Sequence, residues 1–291
     1  MTADPSTSLR VTKSEVIRDA QTLIPNWSDK LFFKKKGIEL KSQKEIEKMR
    51  IAGQAVGEIF DKLTDIIKPG ASTKDIDKFV EKYISSFKMT AAFKGIKGVS
   101  YPFPASACVS INDEVVHGIP NVSRKLKQGD IVSVDIGVIY EGYYGDAAKT
   151  YAVGSISDTA SKLLEITEIS LQKAIEQAKP GKRLGDVSHA VQKTAEEAGF
   201  SVVREFVGHG IGRYLHEEPQ IPNYGKPDTG VKLLPGMVLA IEPMINEGGH
   251  KVEMLDDNWT VVTKDGSLSA HFEHTVAITE NGNEILTKRQ C

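Results

Sequence analysis

The stretch that most constrains this chain is Gly129 to Thr150, GDIVSVDIGVIYEGYYGDAAKT. Two β-rich runs flank Glu141-Gly142, a turn-like pair, which predicts an antiparallel hairpin. With an even loop, Tyr140 faces Tyr143 and Gly137 faces Asp146. Side chains alternate along a strand, so Asp135 shares the face of Gly137, and Asp135 and Asp146 become diagonal cross-strand neighbours. Ser133, Gly137, Ala148 and Thr150 add small or polar groups that leave room on that face, whereas Val132, Val134, Ile136, Val138 and Tyr140 make the opposite face apolar. Two carboxylates held together there need a cation unless the face is simply solvated.

Composition narrows the setting. A chain of 291 residues with 40% hydrophobic residues can fill one large core or two small ones. Its formal charge of −2 gives no global field for nucleic acid or an anionic membrane, so neither DNA nor a membrane is expected as a partner. The only cysteines are Cys108 and Cys291, too few for a disulfide framework or a thiolate zinc site, and their scarcity fits a reducing compartment. The N-terminus has no apolar signal region, and no later run approaches membrane-spanning length. The expectation is a soluble, cytoplasmic protein.

Residues 1–36 are polar apart from the knot LIPNW and end in Lys34-Lys35-Lys36, which reads as a poorly packed N-terminal extension. Residues 37–291 read as one domain. Ser42 and Glu45 form an S-x-x-E capping box before Ile46, Met49, Ile51 and Ala52, predicting a helix to about Ile67, stopped by Lys68-Pro69-Gly70. A second helix is predicted from Ser72 or Thr73 to about Phe87. The pattern then recurs: Lys179-Pro180-Gly181 and a helix opening at Asp186-Val187 repeat Lys68-Pro69-Gly70 and Asp75-Ile76 at an offset of 111. LKQGDIVSVDI, from Leu126, matches LLPGMVLAIEP, from Leu233, at an offset of 107, which superposes Asp135 on Glu242. His117 in VVHGIP is echoed by His216 in YLHEEP. Three echoes in one order point to a duplicated unit of two helices and a hairpin, with equivalent residues meeting on a pseudo-twofold axis.

The polar residues on the predicted inner strands are Asp135, Asp146, His209, Glu242 and Glu273. His209 lies in GHGIG after a strand from Val202 to Val207, Glu242 ends the run MVLAI, and Glu273 lies in the strand SAHFEHTVAI before the Asn281-Gly282 turn. Taken singly, each could be a solvated or salt-bridged acid, and GHGIG could be a plain turn. Together, four carboxylates and an imidazole without thiolate make a hard, oxygen-rich set suited to Mn, Fe, Co or Zn in a paired site. Four such acids around one cavity would repel strongly without cations. Competing motifs fail: GHGIGR lacks a phosphate loop's GK[ST] ending, position 220 is Gln where a zinc-protease helix needs His, and there is no G-x-S-x-G. Metal-assisted hydrolysis keeps the most support.

VVHGIP, VDIG, GDAAKT, GHGIGR, LHEEPQ, IEPM and HFEHT, in this order, resemble the type I methionine aminopeptidases over about residues 37–288. The resemblance implies the α+β pita-bread fold, pseudo-twofold duplicated around a central antiparallel sheet. It implies removal of the initiator methionine from nascent polypeptides with a small second residue, by a monomer that uses a hydroxide bridging two divalent ions. Asp135, Asp146, His209, Glu242 and Glu273 match the family's metal ligands, Asp146 and Glu273 bridging both ions. Glu242 matches the proton shuttle, His216 the group on the substrate carbonyl and His117 the group on the amide side. Phe103, Cys108 and Trp259 match the methionine-pocket lining. The chain departs from the common bacterial pattern at Ile96, where Tyr is usual, at Leu215, and in four extra residues, Val99 to Pro102. The cotranslational substrate and the basic run suggest that Lys34 to Lys36 contact ribosomal RNA, against a solvated linker. The competing readings are an Xaa-Pro aminopeptidase and a non-catalytic pita-bread binding module. The first normally carries a large N-terminal domain, and the second loses ligands that this chain retains.

Overall fold

The computed structural model describes residues 37–288, so the N-terminal extension and its lysine run lie outside the described residues. The first half runs α1 (Gln43–Leu63), α2 (Thr73–Ser86), β1 (Thr90–Ala91), β2 (Ala107–Ile111), β3 (Glu114–Val116), β4 (Ile131–Tyr140) and β5 (Tyr143–Ala152). The second half starts with α3 (Asp158–Gln177), α4 (Leu184–Glu197), β6 (Ser201–Val202), β7 (Val207–Gly210), β8 (Glu217–Pro222), β9 (Val238–Ile241) and β10 (Met244–Asn246). It closes with β11 (Val252–Met254), β12 (Val261–Thr263), β13 (Ser269–His271), β14 (His274–Thr279) and β15 (Gly282–Ile285).

Helix α1 starts where its capping box requires. Glu45 Oε2 accepts from the Ser42 N–H and hydroxyl, both at 2.8 Å, and the other oxygen takes the Tyr143 hydroxyl at 2.5 Å. The helix stops at Leu63, short of the expected Ile67. The Thr64 hydroxyl donates back to the Asp61 carbonyl at 2.7 Å, and the N–H groups of Ile66 and Ile67 both fold onto the Leu63 carbonyl. Ile67 still enters the core, which is why the apolar pattern outruns the helix.

The central hairpin has the expected register: Tyr140 faces Tyr143, Gly137 faces Asp146, and Asp135 faces Ala148. Its apolar face, Val132, Val134, Ile136 and Val138, packs on Ile59, Leu63, Ile76 and Val80 of the first two helices. Each such fully buried aliphatic side chain contributes about 1.5–3 kcal/mol. In the second half, Leu239, Ile241, Val276 and Ile278 do the same against Leu163, Leu171, Val187 and Val191 of α3 and α4.

The repeat is physical. Ser72 bridges to Lys125, and Arg183 bridges to Lys232; the Leu126 N–H bonds the Ala71 carbonyl and the Leu233 N–H the Lys182 carbonyl, both at 2.9 Å. Gly129 and Gly236 turn into their strands at φ of 93° and 90°. All of these pairs keep the offsets of 111 and 107 seen in the sequence. Strand β2 lies on β4 with Ser110 opposite Ser133, as β7 lies on β9 with His209 opposite Ala240. That pairing sets an offset of 99 between β2 and β7, the offset that also separates His117 from His216. The chain is therefore an α+β fold built from two copies of one unit.

Two strand assignments change. Val202 to Val207 is not one strand: β6 pairs with β10, whereas β7 pairs with β8 and β9, so the chain leaves one sheet for another in between. His209 consequently sits inside β7, not after a strand. Likewise β13 pairs with β10 and β14 with β9 and β15, so Glu273 lies in the break between strands. The two halves meet at this break. The Glu273 N–H bonds the Ala148 carbonyl at 2.9 Å, Thr150 Oγ1 bonds the His271 backbone, and Thr275 Oγ1 donates to the Asp146 carbonyl at 2.7 Å. Among the described residues, no helix is long and apolar enough to cross a membrane.

Candidate metal centre

Asp135, Asp146, His209, Glu242 and Glu273 all line one cavity between the two halves, together with His117, His216, Phe103, Cys108 and Trp259. The sequence left room above Gly137, and the fold fills it with protein: a Cβ there would come within 2.7 Å of the Phe93 ring and 2.8 Å of Ala92 Cβ. Ser133 and Thr150 close the rest of that face with a 2.8 Å hydroxyl pair.

One ligand atom each from Asp146, His209 and Glu273 lies within 4.8 Å of the others. His209 Nδ1 is 3.0 Å from the Gly210 carbonyl. A proton on Nδ1 satisfies that carbonyl and turns the Nε2 lone pair inward, 3.4 Å from Glu242 Oε1. Lone pair and carboxylate repel unless a cation stands between them. One oxygen each of Asp135, Asp146 and Glu273 is buried without a hydrogen-bond partner. Burial pushes the Asp135 carboxyl up to about 7. Burial, and then repulsion from neighbouring carboxylates, drives Asp146, Glu242 and Glu273 well above the carboxylate range. Such a set is partly protonated when it stands alone and ionises when cations enter. Orphaned oxygens, an inward lone pair and the oxygen-rich chemistry together fit divalent ions.

The histidines beside these donors are neutral by burial: His117 is lowered to about 4, and His216 is held well below 6.5, with His209 and His117 adding to the effect. His117 adopts φ of 59° and meets the rings of Phe206 and Trp259 edge-on, at centroid distances of 5.7 and 6.2 Å. Its loop is held by Glu114, which accepts the Ile111 N–H at 2.8 Å and the Arg124 guanidinium. The His216 ring lies 4.5 Å from that of His209. The loop beside it is anchored by the buried Lys41–Glu217 ion pair at 2.5 Å, and Glu217 also accepts the Tyr214 N–H at 3.0 Å.

The apolar end of the cavity joins Phe103, Cys108 and Trp259 with Phe93, Ile96, Phe206, Leu215 and Met244. Cys108 stands opposite Asp135 in the sheet, and burial followed by the surrounding carboxylates drives its thiol far up, so it acts as a small apolar group. Sequence reasoning missed His271, Phe93, Phe206 and Met244. His271 is buried with Nε2 3.9 Å from Glu242 Oε2 and no hydrogen-bond partner on that nitrogen. Its spacing of two residues from Glu273 was the available signal.

Residues 47–280 match the metallopeptidase family M24. Methionine aminopeptidase 1 of Bacillus subtilis is 55% identical over 251 residues, covering 86% of this chain and 99% of that one. The crystal structure of methionine aminopeptidase from Thermotoga maritima superposes with a TM-score of 0.84 at 51% identity, over 87% of this chain and all of that one. Prolidase from Pyrococcus furiosus, at 24% identity and a TM-score of 0.66, shares the fold, but this chain covers only 66% of it. The Xaa-Pro alternative is thereby disfavoured, and the pita-bread fold stands. Five inward donors, a duplicated cradle and these relatives agree: the chain belongs to metallopeptidase family M24 and, within it, to the methionine aminopeptidases.

Proposed function

We propose that this chain removes the initiator methionine from nascent polypeptides whose second residue is small, with Asp135, Asp146, His209, Glu242 and Glu273 holding two divalent ions drawn from Mn, Fe, Co and Zn. The observation that carries the reading is a cavity with two unlike ends, one of converging buried donors and one of apolar rings. Bound there, the ions would lower the pKa of a water molecule and polarise the scissile carbonyl. Asp135, Asp146 and Glu273 would hold them through the buried oxygens that lack hydrogen-bond partners.

The protein's own groups supply the rest. The flexible thioether of methionine enters between Phe103, Cys108 and Trp259. His117 holds the amide side of the scissile bond, and neutral His216 donates an N–H to the carbonyl oxygen as negative charge develops on it. Glu242 takes the proton released when water adds to the carbonyl carbon and passes it to the amide nitrogen as the C–N bond breaks. Free methionine and a shortened polypeptide leave.

Hydrolysis of Met-Ala-Ser, Met-Lys-Ser and Xaa-Pro peptides after metal reconstitution tests this. Metal-dependent release of methionine from Met-Ala-Ser alone is the expected result; none from Met-Ala-Ser, or cleavage before proline, would overturn it. The chain is expected to act as a monomer in the cytoplasm. Contact of Lys34 to Lys36 with ribosomal RNA is tested separately by ribosome cosedimentation, which should weaken with salt and on deleting residues 1–36.

A further inference from the structure

The four extra residues Val99 to Pro102 do not simply decorate the surface. The Trp259 indole N–H donates to the Tyr101 carbonyl at 3.2 Å, and the Tyr101 hydroxyl donates to the Asp257 carbonyl at 2.8 Å. Asp257 in turn accepts the N–H groups of Trp259 and Thr260 at 2.9 and 2.7 Å. Tyr101 thus grips both the indole and the loop that carries it. Next to this latch, Gly98 lies flat on the ring: an added Cβ would overlap the indole and come within 2.7 Å of both Trp259 Cε2 and the Tyr101 carbonyl oxygen. The segment is closed at its base by bonds from the Phe103 N–H to the Ile96 carbonyl at 2.8 Å and from the Gly95 N–H to the Phe103 carbonyl at 2.9 Å. Phe103 then meets the indole edge-on at 5.1 Å. Trp259 also meets His117 edge-on in the cavity, and the position of its indole sets the width of the apolar end.

We propose that residues 98–102 form a specificity strap that fixes the Trp259 indole and thereby the width of the pocket for the first side chain of the substrate, with Gly98 and Tyr101 as its positioning residues. The inference rests on the methionine-releasing activity proposed above and adds what sets its selectivity in this chain. A pocket of fixed width admits an unbranched side chain and discriminates by about 10- to 200-fold per methylene of misfit.

The test uses the full chain carrying W27F, so that Trp259 is the only tryptophan of the two in the sequence. Gly98→Ala should shift Trp259 emission and increase its quenching by acrylamide. Because the pocket contributes binding that is equal in ground and transition states, KM for Met-Ala-Ser should rise about tenfold with kcat within about twofold. The Met-Ala-Ser over Leu-Ala-Ser preference should fall in parallel. Tyr101→Phe removes only the hydroxyl bond to the Asp257 carbonyl, keeping the backbone carbonyl on the indole, and should move the same quantities in the same direction by about threefold. Unchanged emission, KM and preference in folded variants, against an active parent, would overturn the strap; if Gly98→Ala does not fold, Tyr101→Phe alone decides by the same measures. A parent that releases no methionine would instead overturn the functional reading, while the emission shift would still report the hold on the indole.

Discussion

His209 Nε2 lies 3.4 Å from Glu242 Oε1, while His209 Nδ1 is engaged by the Gly210 carbonyl at 3.0 Å. A neutral imidazole in this tautomer presents a lone pair to the carboxyl group, an arrangement that needs either a shared cation or a proton on Glu242, whose carboxyl burial raises. Burial lowers His209 to about 4, so the ring does not resolve the conflict by taking a second proton near neutrality. Asp135 stands at about 7, and burial together with neighbouring carboxylates holds the other three well above the ordinary carboxylate range. Metal uptake must therefore expel protons. The sign follows: affinity for Mn or Co should rise as pH increases from about 6 to 8, and each uptake should release at least about one proton. Calorimetric titration of the metal-free chain in two buffers of different ionisation enthalpy measures that number, and a value of zero would contradict the raised carboxyls.

Asp146 is fixed by its backbone, whose N–H is bonded by Thr275 Oγ1 at 3.0 Å and whose carbonyl accepts from the same hydroxyl. Asp146→Asn should keep that geometry and lose one charge and one acceptor. A group merely supporting a ligand costs about 10- to 100-fold when removed, so loss of Asp146 as a proposed ligand should lower Met-Ala-Ser turnover by more than about 100-fold. The number of ions bound per chain should fall as well. Near-normal turnover at full metal loading would mean that Asp146 is not a ligand.

Much of this centre was legible in the sequence because period-two alternation and a two-residue turn fix which side chains share a face. Asp135 and Asp146 follow from that alone, and the superposition of Asp135 on Glu242 follows from the repeat. His271 and Phe93 were not legible. His271 ends β13 just before the chain changes sheets, and Phe93 reaches the centre from a loop after a two-residue strand; neither a switch of sheets nor a loop path leaves a periodic trace. The early end of α1 has the same origin, since Ile67 is buried by tertiary packing without being helical.

Glu45 joins the start of α1 to the central hairpin. The Tyr143 hydroxyl, followed by the Ser42 N–H and hydroxyl, holds its carboxyl down to about 2. A depressed folded value means that the stabilisation is complete above the unfolded value of about 4.3 and is lost as pH falls toward 2. Glu45→Gln should cost about 1 kcal/mol at pH 7, lowering Tm by about 2–4 °C. The gap between the two proteins should narrow from pH 4 to 2.5. A gap that stays constant in thermal melts across that range would show that the charge of Glu45 contributes nothing.

Lys41 and Glu217 form an ion pair with both side chains buried, 2.5 Å apart. Lys41 also fixes the turn that leads into β9, its N–H bonding the Gly236 carbonyl at 2.7 Å, and Glu217 follows His216 directly. Lys41→Met would leave a buried carboxylate without its cation, a change that costs about 3–5 kcal/mol. At about 2–4 °C per kcal/mol for a chain of this size, Tm should fall by roughly 10 °C. Adding Glu217→Leu should restore most of that stability, because an apolar pair of similar volume does not leave a charge stranded. The two variants separate stability from positioning. If the ion pair also holds the His216 loop, the double variant should regain Tm yet keep a reduced kcat on Met-Ala-Ser, by about tenfold, since a catalytic group displaced by a fraction of an ångström loses rate rather than binding. Full recovery of kcat together with Tm would limit the pair to stability.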